Sequence, residues 1–229
     1  MALDDLHLLP HRLRPAKGEP DGALVLLHGR GTDENDLQPL LDALDPDRRL
    51  VGVTPRAPLA LAGQPGAHWY VVRRVGFPDE ATFAPTYERL EAWLDALPAA
   101  LGVPWSRTVL GGFSQGTAMS FALGLGPGRP APAGILALSG FLPSVPGYEP
   151  VLEDREDFPV AIGHGSLDPV IPVEFARSAR ERLEGAGADV LYRESPVPHT
   201  IDPAFIPQLR DWLGERIPPR TAVAGAPSA

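Results

Sequence analysis

The chain contains no cysteine, which excludes disulfides, thiolate metal sites and a cysteine nucleophile. No apolar stretch reaches about 18 residues, the length a membrane-spanning helix needs. The opening MALDDLHLLPHRL has no basic region followed by an apolar run, so it does not read as a signal peptide. These absences lead to the expectation of a cytoplasmic protein without a transmembrane segment. Lys/Arg clusters are also missing, and the formal net charge is −9, so nucleic acid is not expected as a partner. There is no internal repeat and no break in composition.

What is present suits one α/β domain. The chain has 229 residues, 44% of them hydrophobic and 21% charged, enough to bury a sizeable core. The 28 prolines and 24 glycines are spread through loops and not massed. The domain is expected to cover residues 1–217, with Pro218–Ala229, small and polar, as a disordered tail.

One stretch organises the rest, Arg107–Gly116. Thr108–Leu110 reads as a short buried strand, Gly112–Phe113–Ser114–Gln115–Gly116 is a G-x-S-x-G, and Thr117–Leu123 reads as a helix of small residues. Strand, sharp turn and helix form the context of a nucleophile elbow. A serine at such an apex leaves the usual backbone regions, and side chains on residues 112 and 116 would collide there.

The other elements alternate. Residues 6–14 suit an edge strand, because Pro10 argues against a central position. Ala23–His28 and Leu50–Thr54 read as strands, with a helix between them capped by Asp33 and running to Ala43. Pro55–Phe77 is long and irregular. Glu80–Leu101 contains a helix whose apolar residues Phe83, Tyr87, Leu90, Trp93, Leu94 and Leu97 recur at spacings of three and four. Gly134–Ser139 and Phe158–His164 read as buried strands around an irregular Ser144–Asp157. Val173–Glu184 follows as a helix and Ala188–Arg193 as the last strand. Asp202–Pro203 opens a final helix to about Glu215. Strands alternating with helices imply a doubly wound, mostly parallel sheet with helices on both faces. Function in such sheets gathers at the carboxyl ends of the strands. His28, Ser114, Phe141, Asp168 and His199 all fall there.

A serine hydroxyl needs a base to take its proton, and the base needs an acid to orient it. Ser114, Asp168 and His199 follow the order nucleophile, acid, base. Of the six histidines, His7 and His11 precede the core, and His28 and His68 lie in early loops. His164 closes a strand, where it packs or bonds locally. His199 occupies the loop between last strand and last helix. Asp168 leaves a strand end in an Asp-Pro turn; Asp189 precedes a strand and Asp202 caps a helix. The backbone N–H groups of Gln115 and Arg30, the latter in His28–Gly29–Arg30–Gly31, are the expected oxyanion donors. The Arg30 side chain either faces solvent or helps to hold an anionic substrate.

Together LLHGRGTDENDL, GGFSQGTAMS, LSGFLP, HGSLDPVIP and the late His199 resemble the phospholipase/carboxylesterase family of α/β hydrolases, which includes the acyl-protein thioesterases. The resemblance runs in order from about Ala23 to Glu215 and implies a single-domain α/β hydrolase without a large cap. It implies a Ser-His-Asp esterase or thioesterase with no metal and no cofactor, acting on a small-molecule ester or thioester, as monomer or homodimer. The loop carrying Trp69 and Tyr70 resembles the family's aromatic loop beside the acyl pocket. Trp69, Tyr70, Phe141, Leu142 and Ile171 are the apolar candidates for that pocket, and their small number suggests short to medium acyl chains. Pro196–Val197–Pro198 before His199 departs from the family's usual small or polar run. Competing readings are an acyl thioesterase or lysophospholipase on the same triad, and a catalytically silent binding module on the same scaffold. An acyltransferase or a peptidase is a further reading, although peptidases of this fold usually carry a larger cap.

Overall fold

A computed structural model describes residues 6–153 and 155–220. Seven strands make one sheet: β1 (His11–Arg14), β2 (Gly22–Leu27), β3 (Leu50–Pro55), β4 (Thr108–Phe113), β5 (Gly134–Leu138), β6 (Pro159–Gly165) and β7 (Asp189–Ser195). Their order is β1-β3-β2-β4-β5-β6-β7. Every neighbouring pair is parallel except β1 with β3. The helices are α1 (Gln38–Leu44), α2 (Glu80–Leu101), α3 (Gln115–Gly124), α4 (Glu174–Gly185) and α5 (Ile206–Arg216).

The continuous apolar runs of the central strands follow from burial on both faces. In β2, Leu24 and Leu26 pack with α1 and α5, through Leu40, Leu41, Leu209 and Trp212. Val25 and Leu27 face the other way, with Phe83, Leu90 and Trp93 of α2 and Ala118 and Met119 of α3. In β5 and β6, Ile135, Ala137, Val160 and Ile162 pack against Ala176, Ala179 and Leu183 of α4. All ten residues of α3 are buried. Its Gly, Ala, Ser and Thr let a helix lie close on the sheet.

Two local expectations change. Asp33 does not cap α1, which starts at Gln38 after Leu37 with no side-chain cap. The Asp33 carboxylate instead accepts the Asn35 N–H at 2.9 Å, closing a turn upstream of the helix. The edge strand is confined to His11–Arg14, after Pro10. In the irregular Pro55–Phe77 stretch, Leu59–Ala60 pairs with Ala67–His68, and Val72–Arg74 with Phe77–Pro78. Of the segment expected to be a tail, the Pro218 carbonyl accepts from the Arg107 side chain, and the Arg220 N–H donates to Asp21 at 2.8 Å. Residues 221–229 lie outside the described residues. Among the described residues no helix is long and apolar enough to cross a membrane.

A buried ion pair fastens the edge strand to the sheet. Arg14 and Asp45 are 5% and 4% exposed and 2.5 Å apart. Arg14 also donates to the carbonyls of Leu41 and Leu50, and Asp45 accepts the N–H groups of Arg49 and Leu50. Removing one partner strands a buried charge, which costs about 3–5 kcal/mol. Asp45→Ala should therefore lower the unfolding free energy from urea titration by a loss of that size, seen as a lower midpoint at an unchanged m-value; a loss under about 1 kcal/mol would contradict the pair's role.

Candidate active site

The sheet reverses direction of build between β2 and β4, so the loops after those two strands are neighbours at the carboxyl edge. Ser114 stands in the second of them, between β4 and α3. Its φ of 57° and ψ of −116° place a non-glycine residue in costly backbone territory. The surroundings hold it there. A Cβ on Gly112 would lie 2.4 Å from the Gly116 carbonyl carbon, and one on Gly116 would lie 1.9 Å from the Leu27 oxygen. Glycine at both positions is thus a steric requirement of the turn. The Ser114 N–H donates to the Leu138 carbonyl at 2.9 Å. Thr117 adds a second tie: its hydroxyl accepts the Leu138 N–H at 3.0 Å and lies 2.7 Å from the carbonyls of both Gly112 and Leu138, donating to one.

The Ser114 Oγ is 3.0 Å from His199 Nε2, and His199 Nδ1 is 2.6 Å from Asp168 Oδ2. An ionised carboxylate accepts only, so Nδ1 carries the proton and Nε2 is left to accept from the serine. The assignment follows from the partners, since both nitrogens look alike without hydrogens. The Phe113 ring packs on the imidazole, 4.8 Å between centroids. The loop carrying His199 lies along the loop carrying Asp168, with the Leu167 N–H donating to the Val197 carbonyl at 3.2 Å.

Asp168 has a fully buried side chain. Its Oδ1 accepts the N–H groups of Val170 and Ile171 at 2.8 and 2.9 Å. The Asp-Pro turn is therefore the device that aims the carboxylate. Burial pushes its pKa up, but the hydrogen bond from His199, then those from Ile171 and Val170, outweigh burial and leave it below the ordinary carboxyl value. Asp202 is committed elsewhere, accepting the Ser195 hydroxyl at 2.6 Å and capping the Pro203–Phe205 turn through the Ala204 N–H.

His164 lies behind Asp168. Its Nε2 donates to the Ile171 carbonyl at 2.8 Å and is 3.5 Å from Asp168 Oδ2. Burial lowers its pKa. It therefore bonds locally, as expected of a strand-end histidine.

In the loop after β2, His28 is buried, and burial lowers its pKa too. Its Nε2 accepts the Ala57 N–H at 3.0 Å and its Nδ1 donates to the Gly29 carbonyl at 2.7 Å. The Trp69 indole N–H donates to the His28 carbonyl at 2.8 Å, and the Gly31 N–H to Ala67 at 2.8 Å. The loop that carries Arg30 is thus pinned on both sides. Among the described residues the N–H groups of Arg30 and Gln115 have no backbone acceptor; Gln115 opens α3, where such donors are unpaired by geometry. The Gln115 side chain has a use that its place after the serine did not signal. Its Oε1 accepts the Trp69 N–H at 3.0 Å and its Nε2 donates to the Tyr70 carbonyl at 2.9 Å, clamping the aromatic loop onto the elbow.

A cavity of about 440 Å³ opens beside Ser114, within the usual range for small-molecule sites. Tyr70, Phe141 and Ile171 line it, as do Arg30, Gln115 and His68. Trp69 and Leu142 do not. Trp69 is wholly buried, its indole satisfied by His28, and Leu142 packs with Phe121 and Ile135 under α4. Val71, Val72, Val75 and Val170 take their place, together with Arg74. These valines come from loops and one very short hairpin strand, where no hydrophobic period marks which side faces the cavity. Among the described residues no group of three or more His, Asp or Glu could hold a metal ion.

A mostly parallel sheet with a serine at the turn after a central strand, and a histidine and an aspartate in later loops, defines an α/β hydrolase. The solved structure of a carboxylesterase from Mesorhizobium loti shares the fold, with a TM-score of 0.78 and 24% identity over 93% of this chain and 98% of that one. The chain belongs to the phospholipase/carboxylesterase family, which it matches over residues 12–217. Acyl-protein thioesterase 1 of Cryptococcus neoformans is 28% identical over 91% of this chain and 100% of its own length. Acyl-protein thioesterase 1 of Gibberella zeae is 33% identical over 123 residues, and there the match spans about half of each chain, 52%.

Proposed function

We propose that this protein hydrolyses carboxylic esters with short to medium acyl chains through an acyl-enzyme on Ser114. The observation that carries the reading is the hydrogen-bonded series Ser114, His199, Asp168, at 3.0 and 2.6 Å. His199 Nε2 takes the hydroxyl proton as Oγ attacks the ester carbonyl, and Asp168 stabilises the imidazolium that forms. The oxyanion accepts from the N–H groups of Arg30 and Gln115. His199 then protonates the departing alcohol, and water repeats the sequence to release the acid. No cofactor enters any step. The family and its esterase and thioesterase members support this class of chemistry.

A thioester substrate is the second reading, favoured by the names of the relatives. The chemistry is the same, with a thiol leaving. A catalytically silent binding module is the reading from another class; against it, no member of the series is missing, and the strained turn at Ser114 is maintained.

The cavity volume of about 440 Å³ limits the acyl group. Each buried methylene adds ~0.8 kcal/mol only until the space is full. With nitrophenyl esters, kcat/KM should rise severalfold per methylene, then level and fall at long chains. A rate still climbing at long chains would refute the size limit. Acyl-CoA thioesters of matched length, run in parallel, decide between ester and thioester.

A further inference from the structure

We infer that this site is built for esters carrying an anionic group, a carboxylate or a phosphate, a few bonds from the scissile carbonyl, with Arg30 and Arg74 as the receiving cations. The inference rests on the esterase reading of Ser114. In a chain of net charge −9, the cavity beside that serine is lined by two arginines and no carboxylate. The other arginines near acids pair with them: Arg14 with Asp45, Arg129 with Glu91 and Asp95, Arg177 with Glu194. Among the described residues neither Arg30 nor Arg74 has a carboxylate partner.

The contrast is sharpest between adjacent residues. Arg73 reaches Asp79 at 2.7 Å. Arg74 turns away and stacks on Phe77, its guanidinium carbon 3.6 Å from the ring centroid. Arg74 thus stands where the cavity meets a neighbouring groove lined by Phe77, Asp79 and Glu80; stacking fixes the guanidinium plane there, and its in-plane N–H groups have no carboxylate partner and can take a bidentate acceptor. Arg30 projects from the pinned loop whose N–H is the proposed oxyanion donor, so an anion on its side chain sits close to the reacting carbonyl. Val71, Val72, Val75 and Val170 of the same lining are apolar, and apolar walls strengthen such a pairing relative to open water.

The test compares 4-nitrophenyl hemiglutarate with 4-nitrophenyl valerate, esters of equal length with and without a terminal carboxylate. In the wild type at low salt, kcat/KM should favour the anionic ester about tenfold or more, and high salt should compress that ratio. Arg30→Gln and Arg74→Gln should each reduce the ratio severalfold, while Arg74→Lys, which keeps the charge but loses the stacked bidentate fork, should retain only part of it. Calorimetric titration of the intact protein with glutarate and with glycerol 2-phosphate needs no turnover. It shows which anion the site prefers, and the heat should vanish in Arg74→Gln. Hydrolysis of the neutral ester with a ratio at or below one, or a ratio unchanged in both variants, overturns the inference and leaves the esterase reading standing. Anion binding that is lost in Arg74→Gln, without hydrolysis of either ester, supports the anion site and overturns the esterase reading instead.

Discussion

A fluorophosphonate should attach to the wild-type protein at one equivalent per chain, with peptide mapping placing the adduct on Ser114. The reagent reacts with a serine only when a base takes the hydroxyl proton and the site accepts a tetrahedral adduct. His199 Nε2, 3.0 Å from the Oγ, is the proposed base. In the proposed mechanism the N–H groups of Arg30 and Gln115 donate to the oxygen of the tetrahedral adduct. Ser114→Ala should abolish labelling. His199→Ala should slow it by orders of magnitude, because the oxygen then keeps its proton. His164→Ala should matter far less: that ring bonds the Ile171 carbonyl and lies behind the acid, away from the serine. A wild type that does not label is a binding module. Labelling that survives His199→Ala but not His164→Ala would move the base to His164.

Asp168→Asn should preserve the fold and cost kcat up to ~10⁴-fold, the loss that the corresponding change causes in a serine protease. The reason is the tautomer. The carboxylate accepts from His199 Nδ1 at 2.6 Å and so keeps Nε2 free of a proton. An amide that presents its NH₂ there drives the proton onto Nε2, which then faces the serine as a donor. The turn itself should survive, because the side-chain oxygen that accepts from Val170 and Ile171 is retained. Unchanged circular dichroism beside the lost rate checks this, and a near-normal kcat would shift the acid elsewhere. The pH dependence follows from the lowered Asp168 pKa. The charge on Asp168 persists as pH falls through the ordinary carboxyl range, near 3.9, and disappears only below it. An acid limb of the pH–rate profile above that range therefore titrates another group. By linkage, the stability this carboxylate contributes is present above its unfolded pKa and is lost only as pH falls through the lower folded value.

Much of this molecule is legible along the chain because its signals are local. A strand buried on both faces must be apolar throughout, and Gly22–Leu27 and Gly134–Leu138 are. The elbow announces itself through glycines that have no steric alternative. Asp168 and His199 could be singled out as candidates because each follows a strand, in the order proposed for nucleophile, acid and base. Their separation along the chain, 31 residues between acid and base and 85 between base and serine, is closed by the parallel sheet, which sets all three loops along one edge.

What the chain alone did not reveal depends on which way a side chain turns after packing. Trp69 and Tyr70 are consecutive and both aromatic, yet only Tyr70 lines the cavity; the Trp69 indole finds the His28 carbonyl inside. Asp33 has the residue type of a helix cap but closes a turn with Asn35 because the helix starts later. Gln115 and Thr117 look like ordinary first-turn residues, and their roles as clamps exist only because the aromatic loop and β5 arrive beside them. Arg74 differs from Arg73 only in where the hairpin aims it. Composition, hydrophobic period and turn chemistry are properties of neighbours in sequence, so the sequence by itself determined the class of fold, the elbow and the order of the candidate site residues. The lining of the cavity, its charge and the clamps around it were decided by contacts between segments far apart in the chain, where packing and hydrogen-bond satisfaction select among orientations that local preference leaves equal.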